Sequence, residues 1–205
     1  MRLDHILWAG PDLDALAELF HRLTGVEPAP GGAHPGFGTR NRLVGLGERL
    51  YLELIAPDPA QELSGTMGGA LAELDTPRLL TVSLSADDLG TAAEAARGAG
   101  GAPGTPLAMS RTRPDGVRLD WSILRFEDAA RGYAMPFLID WQGAPHPAGS
   151  LAGDCTLDSL TMTDPDPEGF ARLFGAMGAD LEVAGGARCG GVARLSTPKG
   201  PVVLA

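Results

Sequence analysis

The chain has little that would let it hold nucleic acid or sit in a lipid bilayer. Its 205 residues carry 16 Lys and Arg against 26 Asp and Glu, a formal charge of −10. The basic residues form no run able to neutralise several phosphates together, which excludes nucleic acid as an expected partner. No apolar stretch approaches the roughly 20 residues of a membrane span, and no basic segment followed by an apolar region opens the chain. A cytoplasmic, soluble protein with no membrane partner is expected. Cysteine is scarce too. Cys155 and Cys189 lie outside any Cys-x-x-Cys pattern, which excludes a zinc knuckle and a disulfide framework and leaves two reduced thiols. There is no Gly-x-Ser-x-Gly elbow, so Ser/His/Asp catalysis has no support. Nor does a glycine-rich turn lead from a strand into a helix with Lys and Ser or Thr behind it, so a phosphate cradle has none either.

What is present is a globular composition rich in turns: 44% apolar residues, 20% charged ones, and 29 Gly and 17 Pro spread along the chain. That length can bury a sizeable core, as one large domain or two small ones.

An internal repeat organises the chain. Without a gap, "LDHILWAGPDLDALAELF" (3–20) lies over "LDSLTMTDPDPEGFARLF" (157–174) with seven of eighteen positions identical. "LLTVSLSADDLGTAAEAA" (79–96) fits between them more weakly, with five identities to the first segment. Three copies of a unit of about 77 residues follow, too long for a solenoid repeat and suited to a supersecondary module. Each unit opens with an apolar strand and then a punctuated helix. Asp12 can cap the first helix, Leu13, Leu16, Ala17, Phe20 and Leu23 follow its apolar stripe, and Gly25 can end it. Asp166 and Pro167 start the third, and Gly178 closes it. Helices are thus expected near 12–24, 88–97 and 167–177. Strands are expected near 40–46 and 49–56, then 106–113, 117–126 and 136–141, then 180–184, 191–197 and 201–204, with a Pro-Asp-Gly turn in "RPDG" (113–116).

Two strand residues stand out. Alternation puts Leu3, His5, Leu7 and Ala9 on one face of the first strand, with Asp4, Ile6 and Trp8 on the other. Tyr51, Glu53 and Ile55 share a face of "LYLELIAP". A carboxylate inside such an apolar strand costs several kcal/mol unless it is paired or binds a cation. His5 and Glu53 therefore ask for a partner, and each could be the other's. The stretch "GGAHPGFGTRNRLV" (31–44) is either a flexible entry to an edge strand or a substrate-binding loop. In the second case His34, Thr39 and Asn41 supply polar contacts and Arg40 a charge for a carboxylate. Trp141 could line an apolar cleft, although tryptophans are more often core.

Three blocks, "LDHILWAGPDLDALAELFHRLTGVEPAPGG", "HPGFGTRNRLVGLGERLYLELIAPD" and "MPFLIDWQGAPHPA", together resemble the glyoxalase-like branch of the vicinal oxygen chelate superfamily. The resemblance implies an α+β fold in which repeated βαβββ modules form curved, mostly antiparallel sheets with helices packed outside. It implies a core of two modules, 1–75 and 76–148, and leaves 149–205 as a third, shorter one that pairs across a dimer axis or covers a sheet edge. It also implies a cleft for a small oxygenated molecule and one divalent metal (Zn, Ni, Mn or Fe) bound by His and Glu. His5 and Glu53 match its first-module ligands, and Glu53 is then the candidate catalytic residue. The second half breaks the pattern, because the repeat puts Thr81 and Ser159 where an imidazole belongs. The nearest candidates to complete the metal set are Asp140 and, from a loop, His146. Two functions stay open at this point: a metal-assisted lyase, isomerase or dioxygenase, and a metal-free binding or sequestering protein of the bleomycin-resistance type.

Overall fold

The structure, a computed structural model, describes residues 1–112, 116 and 118–205. In chain order the elements are β1 (Arg2–Ala9), α1 (Leu13–Thr24), β2 (Ala29–His34), β3 (Thr39–Gly47), β4 (Leu50–Pro57), α2 (Met67–Ala72), β5 (Arg78–Ser85), α3 (Leu89–Gly98), β6 (Leu107–Thr112), β7 (Arg118–Leu124) and β8 (Phe137–Asp140). These are followed by β9 (Thr156–Asp164), α4 (Pro167–Ala176), β10 (Val183–Gly185), β11 (Gly190–Thr197) and β12 (Gly200–Leu204). The Pro-Asp-Gly turn expected between β6 and β7 falls outside the described residues, Gly116 aside.

The helices start where short acidic side chains can satisfy their free N–H groups. Asp12 accepts from Ala15 N, Asp88 from Gly90 N and Thr91 N, and Asp166 from Gly169 N. Gly25 ends α1 in the left-handed conformation, at φ 81°, where a Cβ would be strained. The apolar stripes they carry, such as Leu13, Leu16, Ala17 and Phe20 on α1, are buried.

Strands β1 to β8 form one mixed, mostly antiparallel sheet in the order β2-β3-β4-β1-β5-β8-β7-β6. This is the order of two βαβββ modules joined along their first strands. The register carries the repeat down to single residues. An offset of 76 maps His5 onto Thr81 and Leu7 onto Ser83, and the β1–β5 ladder pairs His5 with Ser83 and Leu7 with Thr81, as a local two-fold between the modules requires. The sheet curls until its edge strands β2 and β6 come within 8 Å, Cα to Cα.

Alternation then sorts the residues. Ile6, Trp8, Leu52, Leu54, Val82, Leu84, Leu124 and Leu138 face outward into the main core, against Phe20 of α1 and the alanines of α3. His5, Leu7, Tyr51, Glu53, Ile55, Thr81, Phe137 and Ile139 face inward.

The last unit opens with the same strand and capped helix, but its pairing differs. Its sheet runs β10-β9-β11-β12, so its first strand lies between the second and third instead of beside the last. Met162, Phe170, Phe174, Leu195 and Leu204 join the main core, and β9 and β11 approach the interior strands β3 and β5. Arg131 fixes it to the second module, donating from Nε and Nη2 to both oxygens of the fully buried Asp164 at 2.7 Å each. Among the described residues no helix is long and apolar enough to cross a membrane.

Candidate functional site

The inner face of the sheet lines a cleft with about 860 Å³ of empty space, open mouth included. Most of its wall is apolar, with Leu7, Phe37, Ile55, Met67, Trp121 and Phe137 prominent. Several of its polar groups gather around one carboxylate.

Glu53, 5% exposed, points into the cleft from the middle of β4. Its Oε1 accepts a short hydrogen bond from Asn41 Nδ2. His5 Nε2 stands 3.5 Å from Oε2, and His34 Nε2 stands 3.6 Å from Oε1. Asn41 is oriented from behind, since its Oδ1 accepts from Gly32 N at 2.8 Å, which turns its amide nitrogen toward both Glu53 and His34 Nε2, the latter at 3.2 Å. With Nε2 of His34 accepting, its Nδ1 carries the proton and faces Thr39 Oγ1 at 2.9 Å.

A second carboxylate lies behind His5. Asp4 is 2% exposed and meets three donors: His5 Nδ1 at 2.8 Å, Trp141 Nε1 at 3.0 Å and His146 Nε2 at 3.3 Å. His146 Nδ1 accepts from Ala148 N, which leaves the proton on the nitrogen that faces Asp4. Burial pushes the Asp4 carboxyl upward. The hydrogen bonds from His146 and His5 outweigh it and hold the group far below the usual carboxylate range. Alternation alone places Asp4 across the sheet from His5. A register shift between Leu3 and His5 in the β1–β5 ladder acts as a bulge, turning Leu3 to the outer core and Asp4 to the inner side. Asp4 thereby holds the His5 proton on Nδ1 and leaves the Nε2 lone pair toward Glu53. Tyr51 stacks on the imidazole, centroids 4.6 Å apart.

The sequence candidates separate accordingly. His5, His34, Thr39, Asn41, Glu53 and Trp141 all line the cleft. Arg40 is on the other face of β3, 3.4 Å from Asp14 of α1. Asp140 ends β8 one residue beyond the cleft-lining Ile139 and caps a turn, accepting from Gln142 N at 2.8 Å. His146 stands behind Asp4 and does not reach the cleft wall. Symmetry identifies what replaces the second half of a metal site. Leu7 pairs with Glu53 on β4 and its counterpart Ser83 pairs with Phe137 on β8, so Phe137 holds the place equivalent to Glu53, as Thr81 holds that of His5. A phenyl ring cannot ligate. With Asn41 occupying Glu53 Oε1 and His34 Nε2, only His5 Nε2 and Glu53 Oε2 remain as facing donors. That is fewer than the three protein ligands of an open catalytic site. Among the described residues no cluster of three or more His, Cys, Asp or Glu is arranged to hold a metal ion, and the residues do not fit the divalent ion that the resemblance implies.

Sequence reasoning missed Asp4, hidden by the bulge, and gave Thr81 no part beyond a missing ligand. Thr81 Oγ1 is buried in the cleft wall without a hydrogen-bond partner. It also missed Arg125 and Tyr133. Arg125 follows Trp121 and Ile123 at a spacing of two, which is a legible sign that the three share a face.

Comparison with known proteins agrees with this architecture. The glyoxalase-like domain family matches residues 3–177. The chain belongs to that family, within the vicinal oxygen chelate superfamily. No curated protein matches. Among solved structures, a hypothetical protein from Staphylococcus aureus is similar at 14% identity and a TM-score of 0.69, over 92% of this chain and 88% of that one. A hypothetical protein from Bacillus halodurans is similar at 11% identity and 0.50, over 67% and 92%. Methylmalonyl-CoA epimerase of Streptomyces coelicolor is similar at 20% identity and 0.49, over 68% and 96%. For the Staphylococcus aureus protein the likeness is one of fold.

Proposed function

We propose that this glyoxalase-like protein binds a small, largely apolar, oxygen-bearing molecule in the cleft and exchanges a proton with it through Glu53 and His5, without a divalent metal. The observation that carries the reading is Glu53 itself. It is a carboxylate buried in an apolar cleft and held by Asn41, with an imidazole lone pair 3.5 Å away that a second buried carboxylate fixes in place. A carboxylate that faces the bound molecule, with its other side held by an amide, is placed for general base work. In the proton transfer, a C–H bond next to a carbonyl breaks and the proton goes to Glu53, shared with His5 Nε2. The electron pair moves to the carbonyl oxygen. Thr81 Oγ1, buried without a partner, donates to that oxygen. Return of the proton to carbon completes an isomerisation or epimerisation.

A second reading is retention without turnover, in a sequestering protein. Phe137 in the place of a second carboxylate, and the aromatic wall around it, favour it. Exchange of deuterium from solvent into a panel of small ketones and α-keto acids, followed by proton NMR, separates the two. Proton transfer predicts exchange that falls at least a hundredfold in Glu53→Gln. No exchange above buffer for any compound that binds moves the second reading ahead.

A further inference from the structure

We infer that Arg125 is an anion-recognising residue of the cleft, and that the molecule bound there is an aromatic or aliphatic carboxylate whose acid group meets Arg125 while its apolar body fills the space toward Glu53. The inference rests on the reading of the cleft as a small-molecule site and names the class of molecule.

Trp121 and Ile123 of β7 face inward, and Arg125, next in the same alternation, lines the cleft with them. It is half-buried. Among the described residues no carboxylate lies within ion-pair distance of it, although the chain carries 26 Asp and Glu, and Arg40, Arg42 and Arg131 are each ion-paired. Its guanidinium lies over the ring of Tyr133, 4.6 Å from the centroid, and Tyr133 also lines the cleft. Stacking of this kind covers one face of the guanidinium plane and leaves the N–H edge for a planar, two-oxygen partner.

A cation in a mostly apolar wall, held by a ring instead of a counter-charge, is arranged for an anion brought by the ligand. Charge fixes the direction of binding. Glu53 and Asp4 make the first-module side of the cleft negative, while Arg125 is the only Arg or Lys in its described wall and belongs to the second module. A carboxylate ligand is repelled from the first side and attracted to the second, which leaves its uncharged end to Glu53, His5 and Thr81.

The test uses 3-phenylpropionate and its primary amide, titrated into the full-length protein. Fluorescence of Trp121 and Trp141, both in the cleft wall, is the readout. The expected result is at least tenfold tighter binding of the acid, a preference lost in Arg125→Gln and only partly kept in Arg125→Lys, which retains the charge without the planar N–H edge. Equal affinities for acid and amide, or a preference that survives in Arg125→Gln, would overturn the role of Arg125 and leave the small-molecule site standing. No response to either compound counts against both.

Discussion

Asp4 and Glu53 divide the work at the floor of the cleft, one orienting an imidazole and the other facing the bound molecule. Because Asp4 accepts from His5, Trp141 and His146, Asp4→Asn removes a charge that three donors share. It is expected to destabilise the protein by about 1–3 kcal/mol in urea unfolding and to release the His5 tautomer, seen as loss of the protected Nδ1 proton in nitrogen-15 NMR. The sign of the pH effect follows from the depressed carboxyl. Its folded value lies below the unfolded one, so its stabilisation is complete above the ordinary carboxylate value of about 3.9 and disappears as pH falls from there toward the folded value. Acid unfolding of the wild type should therefore begin near pH 4 and be shallower in Asp4→Asn. Cys189, by contrast, has no part in the chemistry. Burial and its hydrogen bond to Asp164 push the thiol up to about 11, so it stays protonated at neutral pH.

At the scale of elements, β2 shows how backbone geometry serves the site. A methyl group at Gly31 would sit 1.9 Å from Asn41 Oδ1, so only glycine lets β2 approach closely enough for Gly32 N to orient that amide. Gly31→Ala is expected to cost about 1–3 kcal/mol of stability through overpacking and to weaken ligand binding at Glu53, measured by fluorescence titration; an unchanged affinity would remove Asn41 from the account. The same element marks where the sequence stops being legible. Capped helices and alternating strands rest on local rules, and the expected α1, α3, α4 and most strands lie within a few residues of where they form. The gapless offset from β1 to β5 survives in the ladder because no insertion separates strand from helix in either unit. Farther into each unit the connections differ in length, so no alignment could show that Phe137, two residues after Met135, is the counterpart of Glu53, or that Asp140 falls beyond the cleft. The bulge at Leu3 is invisible to simple alternation, and so was the nearest partner of His5. Glycines in "GGAHPGFG" read either as a flexible connection or as part of a substrate-binding loop, and the first of them are in β2, where the close approach to Asn41 requires glycine at 31.

For the whole molecule, the third unit is part of one core and not an appendage. Phe170, Phe174 and Leu195 are buried with Phe20 and Leu84 in a single cluster, and Arg131 to Asp164 is a bidentate pair across the junction. Asp164→Asn removes one of the two carboxylates that hold Arg131, leaving it with Asp128, and is expected to cost about 1–3 kcal/mol, read as a lowered urea midpoint, while a chain ending at residue 148 should be insoluble or unfolded. The curled sheet is proposed as a receptacle that works without a metal. Its most direct test is a titration of EDTA-treated protein with a panel of small aromatic acids and ketones, followed by backbone and side-chain NMR, repeated after adding Zn, Ni or Mn. Saturable shifts confined to the cleft, at His5, Glu53, Thr81 and Trp121, and unchanged by metal, are predicted. Binding that appears only after a divalent ion is added, or shifts that lie outside the cleft, would contradict the proposal.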